Sequence, residues 1–350
     1  MELEQRSVAD RLEGVPIPAE CNQVVGHDEA MLRLTQSYQS GKMPHAWLLV
    51  GAKGSGKATL AFMMAKHILS HPDHHYAPNQ LELDSIVDTV SKQIAHGAHP
   101  DLLHLTRSWN DKTKKFASKL SIDEIRRTNR FYGMTAGAGG WRITIIDTAD
   151  DMNRNAANAL LKILEEPPKR SLFFVLSNAP GNLLPTIRSR CQVLSLAPLK
   201  QADVLAILSK LAVQASDKDK TTAIELAEGS VRKTIQLLRG EIIKEYQQFE
   251  TLMNSNAVGS AKEWKIAHDI ANAITRKGQE QSFELFLDLV IGWIGKQVRR
   301  EPTLPPETLA SWASVWEKVN LSILENKTYN LDKKQVILSL FEVLFERNKT

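Results

Sequence analysis

The run Gly51-Ala52-Lys53-Gly54-Ser55-Gly56-Lys57-Ala58 has the glycines and the lysine of the pattern G-x-x-x-x-G-K-[ST] and lacks only its final hydroxyl. In that pattern glycines let backbone N–H groups wrap a phosphate, the lysine reaches the β/γ oxygens, and the last Ser/Thr holds Mg²⁺. With Ala58 in the last place, the loop keeps its phosphate contacts and loses a metal ligand. Further on, Arg142-Ile143-Thr144-Ile145-Ile146-Asp147 is an apolar strand ending in an aspartate. A carboxylate at the end of a strand beside such a loop helps hold Mg²⁺. A buried strand with a helix-capping aspartate is the plainer account, and the loop upstream favours the metal-binding one. Thr148 follows, with no basic group to polarise water, and Asp150 and Asp151 lie where the chain turns away.

Two more groups could act on phosphate. Thr186-Ile187-Arg188-Ser189-Arg190-Cys191 follows an apolar strand and a Pro180-Gly181 turn. Arginine there is either a solvated charge or a fork that reaches a phosphate held by a neighbouring subunit, a task suited to a planar group that stays charged. Gly229-Ser230-Val231-Arg232 starts a helix, where the arginine either sits near an ordinary cap or senses a nucleotide. Residues 111–130 hold seven Lys/Arg against three acids. A solvated hairpin and helix face explains them better than nucleic-acid contact, since only Phe116 is interleaved among the charges. His71, His74, His75, His96, His99 and His104 lack regular metal-ligand spacing and read as a polar loop.

The elements that must carry these groups are legible in outline. Trp47–Val50, Arg142–Ile146 and Leu172–Leu176 read as buried strands, with helical stretches between them, as in an α/β domain with a parallel sheet. The stretch 59–65 reads as a helix following the loop. Ala156–Leu164 is helical up to Pro167-Pro168, and Ser121-Ile122-Asp123-Glu124 opens another helix with a capping box. After Pro198 the strands stop. Residues 201–240 are helical, with breaks near 216–219 and at Gly229, and from about 244 everything is helical. Trp293, Trp312 and Trp316 on these last helices offer more apolar surface than one small bundle needs, or else form its core.

Composition narrows the classes. The 350 residues suffice for two or three domains, and 43% hydrophobic with 24% charged residues is ordinary for a globular protein. A net charge of +4 argues against a dedicated nucleic-acid module. Two cysteines, Cys21 and Cys191, are too few for a disulfide framework. The charged N-terminus lacks a signal-peptide core, and the longest apolar run, Phe283–Ile294, is interrupted by Glu284 and Asp288. A cytoplasmic protein is expected.

With these residues in view, the chain resembles the AAA+ clamp-loader ATPases, and among them the delta-prime subunits of bacterial DNA polymerase III. The resemblance covers most of residues 20–240. It includes Val25-Gly26-His27, Pro44-His45-Ala46, the phosphate loop, and His99-Pro100-Asp101-Leu102. It continues through Asn155-Ala156-Ala157-Asn158-Ala159-Leu160-Leu161-Lys162-Ile163-Leu164-Glu165-Glu166-Pro167-Pro168, Ser189-Arg190-Cys191 and Gly229-Ser230-Val231-Arg232. The N-A-x-N-A-L-L-K-x-L-E-E-P-P run together with S-R-C is specific to that family.

The resemblance implies an α/β P-loop AAA+ domain at 1–198, a helical lid at 199–243 and an all-α collar at 244–350 that carries oligomer contacts. It implies a stator that offers Arg190 to ATP on an adjacent motor subunit, with Asn178 at the first sensor position and Arg232 at the second. The loop residues Gly51, Gly54, Gly56 and Lys57, with Asp147, form a degenerate nucleotide site. ATP or ADP binding without turnover is open. The family's motor subunits carry a hydroxyl at position 58 and a glutamate at 148. Losing both separates delta-prime from them, so no catalytic activity of its own is expected of this accessory subunit of the polymerase holoenzyme. Implied partners are the motor subunits and the delta subunit, with the sliding clamp and primed DNA reached through the complex, and no membrane. Many relatives carry a four-cysteine zinc module. This chain has no cysteine between 22 and 190, so neither zinc nor another metal is expected. The competing reading is an active AAA+ ATPase, either a motor subunit of the loader or a DNA-repair motor, with Thr59 or Asp150 compensating for the losses.

Overall fold

The computed structural model describes residues 11–81, 89–133, 140–240, 242–255, 257–276, 280–300, 305–329 and 331–349. The N-terminal residues on which the signal-peptide expectation rests lie outside this set. The chain divides into two compact units, Met1–Ala212 with Glu228–Val231, and Val213–Ala227 with Arg232–Thr350.

The first unit alternates helices and strands: α1 (Asp28–Gln39), β1 (Ala46–Val50), α2 (Lys57–Ser70), α3 (Thr89–Ala95) and β2 (Leu102–Leu105). A hairpin of β3 (Trp109–Asn110) and β4 (Lys115–Phe116) leads to α4 (Ile122–Gly133). Next come β5 (Arg142–Ile146), α5 (Arg154–Glu165), β6 (Ser171–Ser177), α6 (Pro185–Arg188), β7 (Gln192–Ser195) and α7 (Gln201–Lys210). Five strands form one sheet in the order β2-β5-β6-β1-β7, every neighbouring pair parallel. Side chains alternate between its faces. Trp47, Leu49, Phe174 and Leu176 enter a core with α1 and α2, while Ala46, Leu48, Phe173 and Val175 enter a second core with α4 and α5. An all-parallel sheet covered on both faces explains why β1, β5 and β6 read as unbroken apolar runs. The edge strands β2 and β7 do not. His104 interrupts β2, and in β7 only Leu194 is buried.

The second unit is all-helical. It comprises α8 (Asp217–Ala227), α9 (Val231–Arg239, whose first residue belongs to the first unit), α10 (Ile243–Asn254), α11 (Ala261–Ile274), α12 (Glu280–Arg300), α13 (Pro306–Tyr329) and α14 (Lys333–Lys349). Its core centres on Phe249, whose ring meets Trp293, Phe286 and Phe341 at 5.4, 5.7 and 5.8 Å. Trp293 and Trp312 are 6% and 5% exposed and pack edge to face, so the bundle core absorbs them, whereas Trp316 is 50% exposed. No helix among the described residues is long and apolar enough to cross a membrane.

Candidate functional site

The loop between β1 and α2 is held open by glycines in the left-handed region, Gly54 at φ 79° and Gly56 at φ 97°. A side chain at Gly56 would also face the His27 ring, whose Nε2 lies 3.7 Å from the position of a Cβ. The loop's carbonyls are taken by side chains. His27 Nε2 donates to Ser55 O at 2.7 Å, Ser230 Oγ to Lys53 O at 2.7 Å, and Lys57 Nζ to Gly51 O and Ala52 O at 2.8 Å each. A loop whose oxygens are engaged in this way, at the start of a helix whose first N–H groups have no intrahelical partner, favours an anion.

Lys57 also donates to Asn178 Oδ1 at 2.8 Å, which brings two expected site residues together. Only 5% of Lys57 is exposed, and burial pushes its ammonium down to about 8 against the pull of Asp147 and Asp150. Asn178 is itself fixed by Asp150. That carboxylate accepts from Ser177 Oγ at 2.6 Å and from the backbone N–H groups of Asn178 and Ala179 at 2.5 and 3.3 Å. Asp147 directly follows β5, with Oδ2 3.9 Å from His104 Nε2, an atom buried without a hydrogen-bond partner. Asp151 pairs with Arg107 at 3.3 Å and receives a bond from Thr148 Oγ1 at 3.4 Å.

Of the two residues considered as substitutes for the missing groups, Asp150 is therefore occupied. Asp150 ties the ends of β5 and β6, and Thr59, one residue past Ala58, lies in α2 beside the Cys21 thiol. Chemically, the site can hold a phosphate through backbone N–H groups and a lysine. The Asp147 and Asp150 carboxylates both act on the Lys57 charge, and a methyl group stands at Ala58 where the pattern has a hydroxyl.

Arg190 lies elsewhere, on the turn between α6 and β7. Its Nη2 meets Glu165 Oε1 at 2.8 Å, and its Nη1 donates to Thr186 O at 3.0 Å and Ser189 Oγ at 3.5 Å. Arg188, two residues earlier, is exposed. Arg232 is half-buried in the second compact unit. The motif's other polar residue, Ser230, is the one that touches the loop within the first unit. Sequence reasoning missed this contact, the Asp150 link and the Glu165–Arg190 pair, all of which join residues far apart in the chain. The Gly-Ser pair and the E-E-P-P run were the only signals available. Among the histidines, His74 and His75 come together with Asp73, their ligand atoms within 4.8 Å of one another. His71 and His96 bond the carbonyls one turn back on their own helices. Of the basic stretch, Lys112, Lys114 and Lys115 are exposed on the hairpin, and Arg126 and Arg127 pair with Asp123 and Glu124 on α4.

Comparison with known proteins agrees with this geometry. The family model described as DNA polymerase III, delta subunit, matches residues 26–200. DNA polymerase III subunit delta' of Escherichia coli (strain K12) is 29% identical over 226 residues, 64% of this chain and 63% of that one. The delta' subunit of Pseudomonas aeruginosa is 34% identical over 204 residues, 57% of each chain. DNA polymerase III subunit gamma of Buchnera aphidicola subsp. Schizaphis graminum is 27% identical over 227 residues, 63% of this chain and 58% of that one. The chain thus spans less than two thirds of the length of these relatives. Its parallel sheet, its phosphate loop and a family match over half its length lead to one conclusion: the chain belongs to the DNA polymerase III, delta subunit family of AAA+ clamp-loader proteins.

Proposed function

We propose that this chain is a delta-prime-like stator in the DNA polymerase III clamp loader. It assists ATP-driven loading of the sliding clamp on primed DNA and does not itself hydrolyse ATP. Its partners in this reading are the motor subunits and the delta subunit. The observation that carries the proposal is the state of the groups hydrolysis would need. Ala58 offers Mg²⁺ no side-chain oxygen, Thr148 cannot polarise water, and the Asp150 carboxylate is committed to Ser177, Asn178 and Ala179. With one metal ligand lost and no water-positioning group, the barrier to phosphoryl transfer stays high. The loop lysine and glycines are retained, which favours the second reading, an active ATPase.

One measurement separates them. The purified chain should show no Mg²⁺-dependent ATP turnover above background, and turnover abolished by Lys57→Ala would establish a motor instead. The stator reading also assigns Arg190 as the arginine offered to ATP on a neighbouring subunit. Arg190→Ala should leave the chain folded and able to join the complex, yet slow ATP turnover by the assembled loader. An arginine supplied in trans is worth about 10³-fold or more at its own site, and the loss across the loader will be smaller because other subunits supply their own. Arg188→Ala is the control, and equal losses from both substitutions would reduce Arg190 to a surface charge.

A further inference from the structure

Glu165 is the last residue of α5, followed by Glu166 at the C-cap and then Pro167-Pro168. A carboxylate there lies in an unfavourable field, because the end of a helix carries partial negative charge from its unsatisfied carbonyls. A local rule broken in this way calls for a compensating cation or a function. The cation that lies on Glu165 comes from far along the chain. Arg190 Nη2 meets Glu165 Oε1 at 2.8 Å, while Nη1 is held from the other side by Thr186 O at 3.0 Å and Ser189 Oγ at 3.5 Å.

The two side chains are 35% and 43% exposed, so as a stabilising ion pair this contact is worth roughly 0–1 kcal/mol. As an orienting contact it does more. A free arginine samples many rotamers, whereas a fork gripped through both terminal nitrogens loses little freedom when it meets an anion. The guanidinium has five N–H groups, and these contacts leave others for a second acceptor.

We propose that Glu165 is the positioning residue for Arg190, holding its guanidinium on the turn before β7 in the orientation that meets the terminal phosphate of a nucleoside triphosphate bound by an adjoining subunit. The inference rests on the reading of Arg190 given under Proposed function. Fixing a charged group before the reaction removes the reorganisation that a mobile one would need as charge develops.

The test uses loader complexes assembled with the natural chain, Glu165→Ala, Glu165→Gln, Arg190→Ala and the Glu165→Ala/Arg190→Ala double variant. ATP turnover with clamp and primed DNA is resolved into kcat and KM, and the thermal midpoint of each isolated chain is recorded. Glu165→Ala should lower kcat toward the Arg190→Ala value, by about tenfold at the affected site, with KM unchanged. Glu165→Gln keeps an acceptor oxygen and should retain most of the rate. The double variant should be no slower than Arg190→Ala alone. A slow Arg190→Ala loader beside a Glu165→Ala loader of natural rate would overturn the positioning role and leave the arginine reading intact. Natural rates from Arg190→Ala would remove both. A double variant slower than either single one, or losses that track a lowered thermal midpoint, would make Glu165 a structural residue and also overturn the proposal.

Discussion

Lys57 commits its ammonium hydrogens to three oxygens of its own chain, and this makes the loop a structural joint whether or not a phosphate arrives. A nucleotide would have to take the lysine from Asn178 or from the loop carbonyls. About three turns further along α2 and buried, His67 has a different fate. Its Nε2 has no hydrogen-bond partner, its ring sits between Tyr38 and His71, and burial pushes it down to about 4 from an ordinary 6.5. Between those values the unfolded chain binds a proton that the folded chain refuses. Stability therefore falls as pH drops from 6.5 toward 4, by up to about 3 kcal/mol from this residue. The variant His67→Leu should flatten that part of the stability–pH curve in denaturant titrations. A slope equal to that of the natural chain would show that His67 titrates normally.

At the scale of elements, the loop is braced by segments distant in sequence. Gly229 (φ 81°) brings the chain so close to the segment after β7 that a Cβ would lie 2.5 Å from Leu199 N and 2.7 Å from Pro198 Cβ. That approach places Ser230 Oγ on Lys53 O. Gly229→Ala should cost about 2 kcal/mol or more in unfolding free energy, from the strained backbone and the displaced contact together. Gly181 has no atom within 4 Å of its Cβ position, so Gly181→Ala is the matched control and should change little. Equal midpoints in denaturant for the two variants would show that the brace carries no energy. The glycine was legible as a helix break; what it lets the chain approach was not, since close backbone approach leaves no trace in periodicity.

For the whole molecule, the second unit buries Trp312, Val315 and Val319 of α13 and leaves Leu309, Trp316 and Leu324 at 38%, 50% and 59% exposure. Steps of seven and eight residues put these three on one side of the helix. If the chain works as proposed, within an assembly, this stripe belongs to an interface formed by the helical unit. Trp316→Glu should change the unfolding free energy by no more than about 0.5 kcal/mol, as expected at an exposed site, and should abolish co-purification with the other loader subunits. Full recovery of the complex would remove α13 from the interface.

What the sequence determined by itself was whatever local rules govern. Strands buried on both faces must be apolar throughout, a phosphate loop must have glycine where φ is positive, and a helix must stop before Pro167-Pro168. From these, β1, β5, β6, α2, α5, the loop and its missing hydroxyl were all readable. The same rules could not show the edge strands, where partial burial mixes polar residues into β2 and β7. Nor could they show which carboxylates are free. Asp150 looks in sequence like a spare base, and only the parallel pairing of β5 with β6 brings Ser177 and the N–H of Asn178 onto it. The same holds for Glu165 and Arg190. Tertiary structure decided these roles because a hydrogen bond depends on distance in space, and the sheet order β5-β6-β1 sets those distances between segments the chain keeps far apart.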